Sequence, residues 1–236
     1  MKNKILTVTW SYEEDFNIKD TYLFKSFVKN NDPNNLVHIH YNRNNYKNLE
    51  VEFKEKYNIQ YEFILYKIFL TRDKINSIDA DNIIFCDAND TVCLGNISNL
   101  EAQKEIVFST EINQYPSSMG DWGGLDYSQD DQKNKVFLNA GLFISKKNDY
   151  KMLLDSVIEN ILTKNLKSFG GDQGIFIFHY LSNSKPTIVL DRESKMFLCT
   201  FSRHYHEFTE KKFPLFVHDN GWNWGSPRFI EKFNLV

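Results

Sequence analysis

The sequence predicts an α/β fold with a mostly parallel, Rossmann-like central sheet flanked by helices. Strand-like and helix-like segments alternate along residues 1–90, as in parallel strands joined by crossover helices. The apolar run at residues 83–86 has no polar face, which is typical of a strand covered on both sides of such a sheet. No linker, repeat or low-complexity tract divides the 236 residues. A single domain spanning residues 1–236 is therefore expected, with 1–90 and 91–236 as its two halves.

Hydrophobic periodicity and turn residues predict the individual strands and helices. Strands are predicted at residues 4–10, 36–41, 60–65, 83–86 and 136–145. Helices are predicted at residues 16–30, 67–77, 149–163 and 175–181, with a polar stretch at 44–57. Residues 117–135 are rich in Gly, Ser, Asp and Gln without periodicity, which predicts a long loop.

The net charge indicates which classes of partner are disfavoured, and the cysteine content indicates the redox state of the compartment. A formal net charge of -3 and a pI near 6.1 lack the concentrated positive charge that nucleic acid or an anionic membrane selects. The apolar stretch at residues 5–10 is too short for a signal peptide or a membrane span, so no transmembrane segment is expected. Cys86, Cys93 and Cys199 match no metal-binding spacing and are expected to be buried thiols, as in the cytoplasm or another reducing compartment. A domain excised from a longer secreted protein would begin in the same way.

Two carboxylates follow the buried strand directly, in the tetrapeptide DAND at residues 87–90. Ligand crevices form at the carboxyl ends of parallel strands, which is where Asp87 and Asp90 would lie. Their mutual repulsion is offset when a divalent cation bridges them to a diphosphate. The alternative is an ordinary surface turn rich in Asp and Asn.

Several motifs along the chain occur in the order of one known family. They are KIFLTR at 67–72, DAND at 87–90, FSTE at 108–111 with Tyr115 and Pro116, LNAGLFI at 138–144, GDQ at 171–173 and VHDNG at 217–221. In this series the chain resembles the glycosyltransferase domain of the procollagen lysyl hydroxylase and glycosyltransferase proteins, and GT-A glycosyltransferases in general. The resemblance implies metal-dependent transfer of a hexose, glucose or galactose, from a UDP-sugar. The acceptor would be a hydroxyl of a glycan or glycoprotein, such as a collagen-like hydroxylysine or its glycoside.

The resemblance also implies a metal centre. The D-x-x-D and V-H-x-N-G matches make Asp90 and His218 metal ligands, with Asp87 either completing the set or bonding the donor ribose. A site rich in oxygen ligands with one imidazole suits Mn²⁺ better than Ca²⁺, and Mg²⁺ is an alternative. Without its neighbours, His218 would be interpreted as a strand-end histidine bonded to the backbone.

Donor-binding residues are predicted in both halves, residues 1–90 for the nucleotide and residues 91–236 for the sugar and acceptor. Thr9 and Trp10 end the first strand, where the base of a nucleotide lies in such sheets, so Thr9 would bond uracil and Trp10 stack on it. Core packing explains Trp10 equally well. Lys67 would reach a phosphate, although a lysine that opens an amphipathic helix is commonly solvated.

The remaining donor contacts come from two motifs. In the L-N-S-G match, Asn139 and Gly141 belong to the donor-sugar pocket, where a small residue lets a ligand approach the backbone. An ordinary bend in a strand is the alternative. The V-H-x-N-G match adds Asn220 and Gly221 to the donor-binding residues.

Catalytic roles are predicted for Glu111, Asp172 and Gln173, which would meet the sugar hydroxyls or the acceptor nucleophile. Asp172 follows two glycines and could instead be the N-cap of the helix at 175–181. The chain carries Gly171 and Asp219 where the family has Asp and Gly. These changes favour a second hypothesis, a non-catalytic nucleotide-sugar-binding or scaffolding module. The sequence does not predict an oligomeric state.

Overall fold

A computed structural model describes residues 1–11, 16–57, 65–101, 103–114, 125–164, 171–200, 213–220, 229–232 and 234–236. Its centre is a six-stranded sheet in the order β2-β1-β3-β6-β5-β7. The strands are β1 Asn3–Ser11, β2 Leu36–Asn42, β3 Asn82–Cys86, β5 Ile106–Glu111, β6 Phe137–Lys146 and β7 Ile188–Leu190. Strand β1 runs parallel to β2 and β3, and β5 parallel to β7, whereas β6 is antiparallel to both neighbours. The predicted mostly parallel sheet is confirmed.

Helices cover one face of this sheet. The longer helices are α2 Arg43–Tyr57, α3 Tyr66–Ile75, α5 Lys147–Lys164 and α6 Gly171–Leu181. The apolar faces of α3 and α5 enclose a core with the sheet, in which Phe69, Phe143 and Leu153 are fully buried. Aromatic rings stack through this layer, with Phe108 and Phe143 centroids 4.3 Å apart. Burial of such rings supplies a large hydrophobic stabilisation.

The other face is covered by α1 Tyr22–Phe27 and by a second, three-stranded sheet in the order β4-β9-β8. Its strands are β4 Thr91–Cys93, β8 Phe197–Cys199 and β9 Phe216–His218. Leu23, Phe197 and Phe216 on this side belong to one buried hydrophobic cluster with Ile84 of the central sheet. Residues of β3 are therefore buried on both faces, as the apolar run at 83–86 predicted.

The small sheet is not foreseen by the sequence, because strands of three residues show no usable periodicity. It nevertheless determines the position of the site. Strand β9 pairs antiparallel with β4, which places His218 opposite Thr91, and parallel with β8, which places it opposite Cys199. The chain segments before β4 and after β9 therefore meet at one edge.

Two predicted elements differ from the structure. The helix predicted at 16–30 is a 3-10 turn at Ile18–Asp20 followed by the short helix α1, because Thr21 adopts an extended conformation and its hydroxyl accepts from Phe24 N. The loop predicted at 117–135 contains the helix α4 Gln129–Asn134, which Ser128 begins as N-cap. Residues 117–124 of that loop, and residues 60–64 of the predicted strand at 60–65, lie outside the described part of the chain.

The other predicted strands and helices agree with the structure. The strands predicted at 4–10, 36–41 and 136–145 correspond to β1, β2 and β6, and the helices at 67–77, 149–163 and 175–181 to α3, α5 and α6. The polar stretch at 44–57 is helical, as α2. All three cysteines are free and buried. Among the helices that the structure describes, none combines the length and apolar character needed to cross a bilayer.

Candidate active site

The acidic tetrapeptide leaves the carboxyl end of β3 and leads directly into β4. Its first residue is held to the neighbouring strand, since Asp87 N donates to the carbonyl of Gly141 at 2.8 Å. Its last residue is held to the end of β9, since Asp219 N donates to the carbonyl of Asp90 at 2.6 Å. Both carboxylates are therefore fixed beside His218.

Asp87, Asp90 and His218 form a group whose ligand atoms all lie within 4.8 Å of one another. His218 Nε2 is 3.4 Å from Asp90 Oδ1 and 3.9 Å from Asp87 Oδ2. Nδ1 of the same ring lies 3.1 Å from Asn139 Oδ1. Because an amide oxygen only accepts, Nδ1 carries the proton in neutral His218 and the lone pair of Nε2 points toward the carboxylates.

This arrangement suits a divalent cation. Nε2 of His218 is buried and has no hydrogen-bond partner among the described residues, and an imidazole lone pair facing two carboxylates is repulsive unless a cation or proton lies between them. An outer amide that orients a ligating histidine is a usual feature of metal sites. The three side chains therefore fit a metal ion, as the sequence predicted.

The protonation equilibria show the same excess of negative charge. Burial favours neutral His218, but the Asp90 and Asp87 carboxylates outweigh burial and raise its pKa above the usual range. Burial also raises the pKa of Asp87, which Lys67 partly opposes and Asp90 reinforces. A bound cation would relieve both effects.

Lys67 connects Asp87 of the candidate metal ligands to Asp172 in helix α6. Its Nζ lies 3.1 Å from Asp87 Oδ1 and 2.6 Å from Asp172 Oδ2, and 4.9 Å from the centre of the Phe85 ring. Burial alone would lower the pKa of Lys67, but the two carboxylates raise it, so the ammonium stays charged. The alternative of a solvated lysine is wrong. Its contact with a phosphate stays a prediction.

Glu111 ends β5 inside a ring of side-chain amides. Its Oε1 accepts from Gln173 Nε2 at 2.6 Å, and its Oε2 accepts from Asn220 Nδ2 at 2.8 Å and from Asn139 Nδ2 at 3.3 Å. Burial raises the pKa of Glu111, and the hydrogen bonds from Gln173 and Asn139 oppose that rise. A carboxylate has about four acceptor positions, so Oε1 keeps capacity for a further hydroxyl.

Apart from Lys67, which is not among the lining residues, these groups line one open cavity of about 420 Å³ at the carboxyl edge of the central sheet. The lining residues are Asp87, Asp90, Glu111, Asn113, Asn139, Ala140, Gly141, Asp172, Gln173, His218 and Asn220. The site residues predicted from the distant motifs at 87–90, 108–111, 138–144, 171–173 and 217–221 thus converge. Asn113 and Ala140 were missed: Asn113 lies outside the motifs, and Ala140 lies within LNAGLFI but contributes a backbone N–H, which bonds Gln173.

Gly141 is needed for a reason different from the predicted one. A Cβ at this position would lie 2.2 Å from His218 Cε1 and 2.6 Å from Asp87 Oδ2. The small residue therefore makes room for the candidate metal ligands themselves. Its contact with a donor sugar remains a prediction.

Asp172 lies in the first turn of α6, which begins at Gly171. Its carboxylate is nearly buried and pairs with Lys67. It is therefore inside the helix and is not its N-cap. Gly171 has a φ of 69°, a left-handed conformation that an aspartate at this position would adopt only with strain.

The structure does not bring Thr9 and Trp10 into the described cavity. Thr9 Oγ1 lies 2.6 Å from His38 Nε2 and 3.1 Å from His40 Nδ1 on the adjacent strand. Trp10 is partly buried against the main core, as its packing alternative predicted. Their contacts with a base stay predictions, and Gly221 lies outside the described residues.

Comparison with solved structures shows the class of fold. The glycosyltransferase GlyE of Streptococcus pneumoniae TIGR4 aligns with a TM-score of 0.52 and 13% identity, over 99% of this chain and 59% of GlyE. Mouse xyloside xylosyltransferase 1 aligns with a TM-score of 0.52 and 11% identity, over 93% of this chain and 98% of the xylosyltransferase. A glycosyltransferase involved in glycosylation of the major capsid of PBCV-1 aligns with a TM-score of 0.50 and 11% identity, over 93% of this chain and 94% of the viral-capsid glycosyltransferase.

The chain therefore has a glycosyltransferase fold, and it spans little more than half the length of GlyE. Neither a protein-family model nor a curated protein sequence matches it. The fold is shown by the structural alignments alone, and the resemblance to the procollagen lysyl hydroxylase family stays a prediction.

Proposed function

We propose that the protein is a metal-dependent glycosyltransferase that transfers a hexose, glucose or galactose, from a UDP-sugar to a hydroxyl of a glycan or glycoprotein. The observation that carries the proposal is the convergence of Asp87, Asp90 and His218 beside an amide-lined cavity. The shared fold supports the same reaction class. In this proposal residues 1–90 serve the nucleotide, and residues 91–236 serve the sugar and the acceptor.

The cation would be held by Asp90 and His218, with Asp87 Oδ2 facing the same point. Mn²⁺ is the ion proposed, since a set of two carboxylates and one imidazole suits it, and Mg²⁺ is the alternative. When bound, the ion neutralises the charge that develops on the departing diphosphate. Asn139 keeps the His218 ring in the ligating tautomer, and Lys67 lowers the pKa of Asp87 against the rise that burial causes.

The part of the cavity around Glu111 and Gln173, called the sugar end because the sugar is proposed to bind there, is built from hydrogen-bonding side chains. The part around Asp87, Asp90 and His218 is called the metal end. Gln173 is held on both sides, by Ala140 N to its Oε1 at 3.1 Å and by its own Nε2 to Glu111. Such locked groups orient hydroxyls without reorganisation during the reaction. Glu111 and Asp172 face the cavity with carboxylate oxygens that can accept from a sugar or from the attacking hydroxyl. A collagen-like hydroxylysine glycoside is one acceptor to test.

Two measurements test the proposal. Titration calorimetry of UDP with Mn²⁺, with Mg²⁺ and after exhaustive chelation should show binding that depends on the ion. Mass spectrometry of reactions with UDP-glucose and UDP-galactose, with and without glycoside acceptors, should show a hexosylated product. UDP binding that survives chelation unchanged contradicts the metal assignment. Metal-dependent UDP binding without transfer or donor hydrolysis supports the non-catalytic module instead.

A further inference from the structure

The carboxyl end of β8 contacts the two residues that follow His218. Strand β8 runs parallel to β9, so both strands end at the same edge, and the ladder continues with Thr200 N donating to the carbonyl of His218 at 2.9 Å. The next side chains on the two strands then meet in pairs. Cys199 contacts Asn220, and Thr200 contacts Asp219.

The Cys199 contact reaches the sugar end of the site. Its thiol donates to Asn220 Oδ1, and Asn220 Nδ2 donates to Glu111 Oε2 at 2.8 Å. An amide whose oxygen is occupied by a donor must present its N–H groups on the other side. The buried thiol of Cys199 thus selects the orientation of the Asn220 amide that supports Glu111.

The Thr200 contact reaches the metal end. Its hydroxyl donates to Asp219 Oδ1 at 3.0 Å, and Asp219 Oδ2 accepts from Ile230 N at 3.3 Å. The backbone N–H of the same aspartate donates to the carbonyl of Asp90. Thr200 therefore holds the residue that ties Asp90 to the strand of His218. A glycine at position 219, as in the resembling family, has no carboxylate for Thr200 to hold.

We propose that Cys199 and Thr200 are positioning residues of this site, one for each end. Thr200 acts through Asp219 on the spacing of Asp90 and His218, and Cys199 acts through Asn220 on Glu111. The inference rests on the proposed function, and its two arms are separable because they end on different groups. Neither residue lines the described cavity, so neither acts by touching a ligand there.

The test compares four variants of the full chain: Thr200→Val, Cys199→Ala, Cys199→Ser and Cys93→Ala. Cys93 is an equally buried cysteine that bonds Gly95 and Asn31 away from the cavity, so Cys93→Ala is the control for the loss of a buried thiol. Three quantities are measured for each variant. Calorimetry without donor gives the Mn²⁺ affinity, product formation at saturating Mn²⁺ gives the turnover, and thermal unfolding in chelator gives the Tm.

Thr200→Val is expected to weaken Mn²⁺ binding about 10-fold, as loss of an outer support does in metal sites, with turnover at saturating Mn²⁺ close to wild type. Cys199→Ala is expected to leave Mn²⁺ affinity unchanged and to lower kcat by about 5- to 10-fold, the equivalent of one hydrogen bond. Cys199→Ser should restore most of that loss, because serine donates as well. Cys93→Ala should change Tm alone.

Crystal structures of the metal-free variants supply a readout that does not depend on activity. Asn220 Nδ2 should leave Glu111 in Cys199→Ala and return in Cys199→Ser. An unchanged Asn220 contact, or losses in all variants that only follow Tm, overturns the inference. Absence of Mn²⁺ binding and turnover in the wild type overturns the proposed function instead. The Asn220 contact then still decides the role of Cys199, and the distance from Asp219 N to the Asp90 carbonyl, 2.6 Å in the wild type, decides that of Thr200, since it should lengthen in Thr200→Val.

Discussion

Nδ1 of His218 and Oδ1 of Asn139 lie 3.1 Å apart, within a buried hydrogen bond. The contact determines which nitrogen of His218 is protonated and points Nε2 toward Asp90 and Asp87. Asn139 also donates to Glu111 through its Nδ2. One amide thus connects the candidate metal ligands with the carboxylate of the sugar end.

Removal of the imidazole should abolish tight metal binding. In His218→Ala we expect Mn²⁺ affinity to fall by more than about 100-fold, because a lost ligand costs more than the 10- to 100-fold of a lost outer partner. Metal-dependent UDP binding should fall with it. Calorimetry measures both, and circular dichroism in chelator should show a folded protein.

The matched control is His179→Ala, since His179 is as buried and its ring contacts Ser156 and the carbonyl of Pro186 instead. It should lose stability and keep Mn²⁺ affinity. Equal Tm losses in the two variants without any difference in metal affinity would give His218 a structural role.

A methyl group at position 141 should displace the candidate metal ligands His218 and Asp87. In Gly141→Ala the new Cβ would overlap His218 and Asp87, and relief of such overpacking costs about 1–3 kcal/mol of stability. We expect weaker Mn²⁺ binding together with a lower Tm. Gly95→Ala is the control, because its Cβ would meet only the end of the Leu215 side chain at 2.9 Å. Wild-type Mn²⁺ affinity in Gly141→Ala would show that the ligands bind in a different arrangement.

Asp172 is expected to act on turnover rather than on nucleotide binding. Asp172→Asn keeps the shape of the side chain and removes the charge that faces Lys67 and the cavity. Transfer should fall about 100-fold, the lower end of what a positioned carboxylate contributes, while the Kd of UDP with Mn²⁺ stays within about 2-fold.

Asp191→Asn is the control for loss of a nearly buried carboxylate, since Asp191 accepts from three backbone N–H groups away from the cavity. It should lower Tm and leave kcat close to wild type. Near wild-type transfer by Asp172→Asn would leave Glu111 as the remaining catalytic carboxylate.

The stability of the fold should depend on His38 below neutral pH. Burial, and then the neighbouring His40, lower the pKa of His38 from 6.5 to about 4. Between these pH values the unfolded chain binds the proton more readily than the folded chain. The contribution of neutral His38 to the free energy of unfolding is therefore complete above pH 6.5 and is lost as the pH falls toward 4. The shift alone corresponds to at most about 3 kcal/mol, and partial exposure of the ring reduces this to about 1–2 kcal/mol.

Urea unfolding at pH 7.5 and at pH 4.5 measures this contribution, and His38→Gln should have a smaller difference between the two than the wild type. His40, whose pKa is also lowered by burial, adds in the same direction and is tested by His40→Gln. An unchanged pH dependence in both variants would assign the acid sensitivity to other groups.

The residue pattern predicts four of the six strands of the central sheet, β1, β2, β3 and β6, and the helices α3, α5 and α6. It also predicts most of the residues that line the cavity. The run at residues 83–86 predicts a strand buried on both faces whatever the rest of the chain does, and the carboxylates after it must then lie at the ligand-binding edge. Local pattern suffices there, because strand burial and chain direction follow from neighbouring residues. Short elements are not predicted in this way, because they show too little periodicity. Strands β4, β7, β8 and β9 have three residues each, and β5 and α4 have six.

The contacts between the site residues depend on how distant elements pack together. His218 meets Asp90 because β9 pairs with β4 across more than a hundred residues of chain, and no periodicity encodes such a pairing. The same holds for Lys67, whose ammonium joins Asp87 to Asp172, and for Cys199, which sequence reasoning assigned to packing. Hydrogen bonds and ion pairs require distances within about 3–4 Å, and these follow from packing of whole elements rather than from residue types.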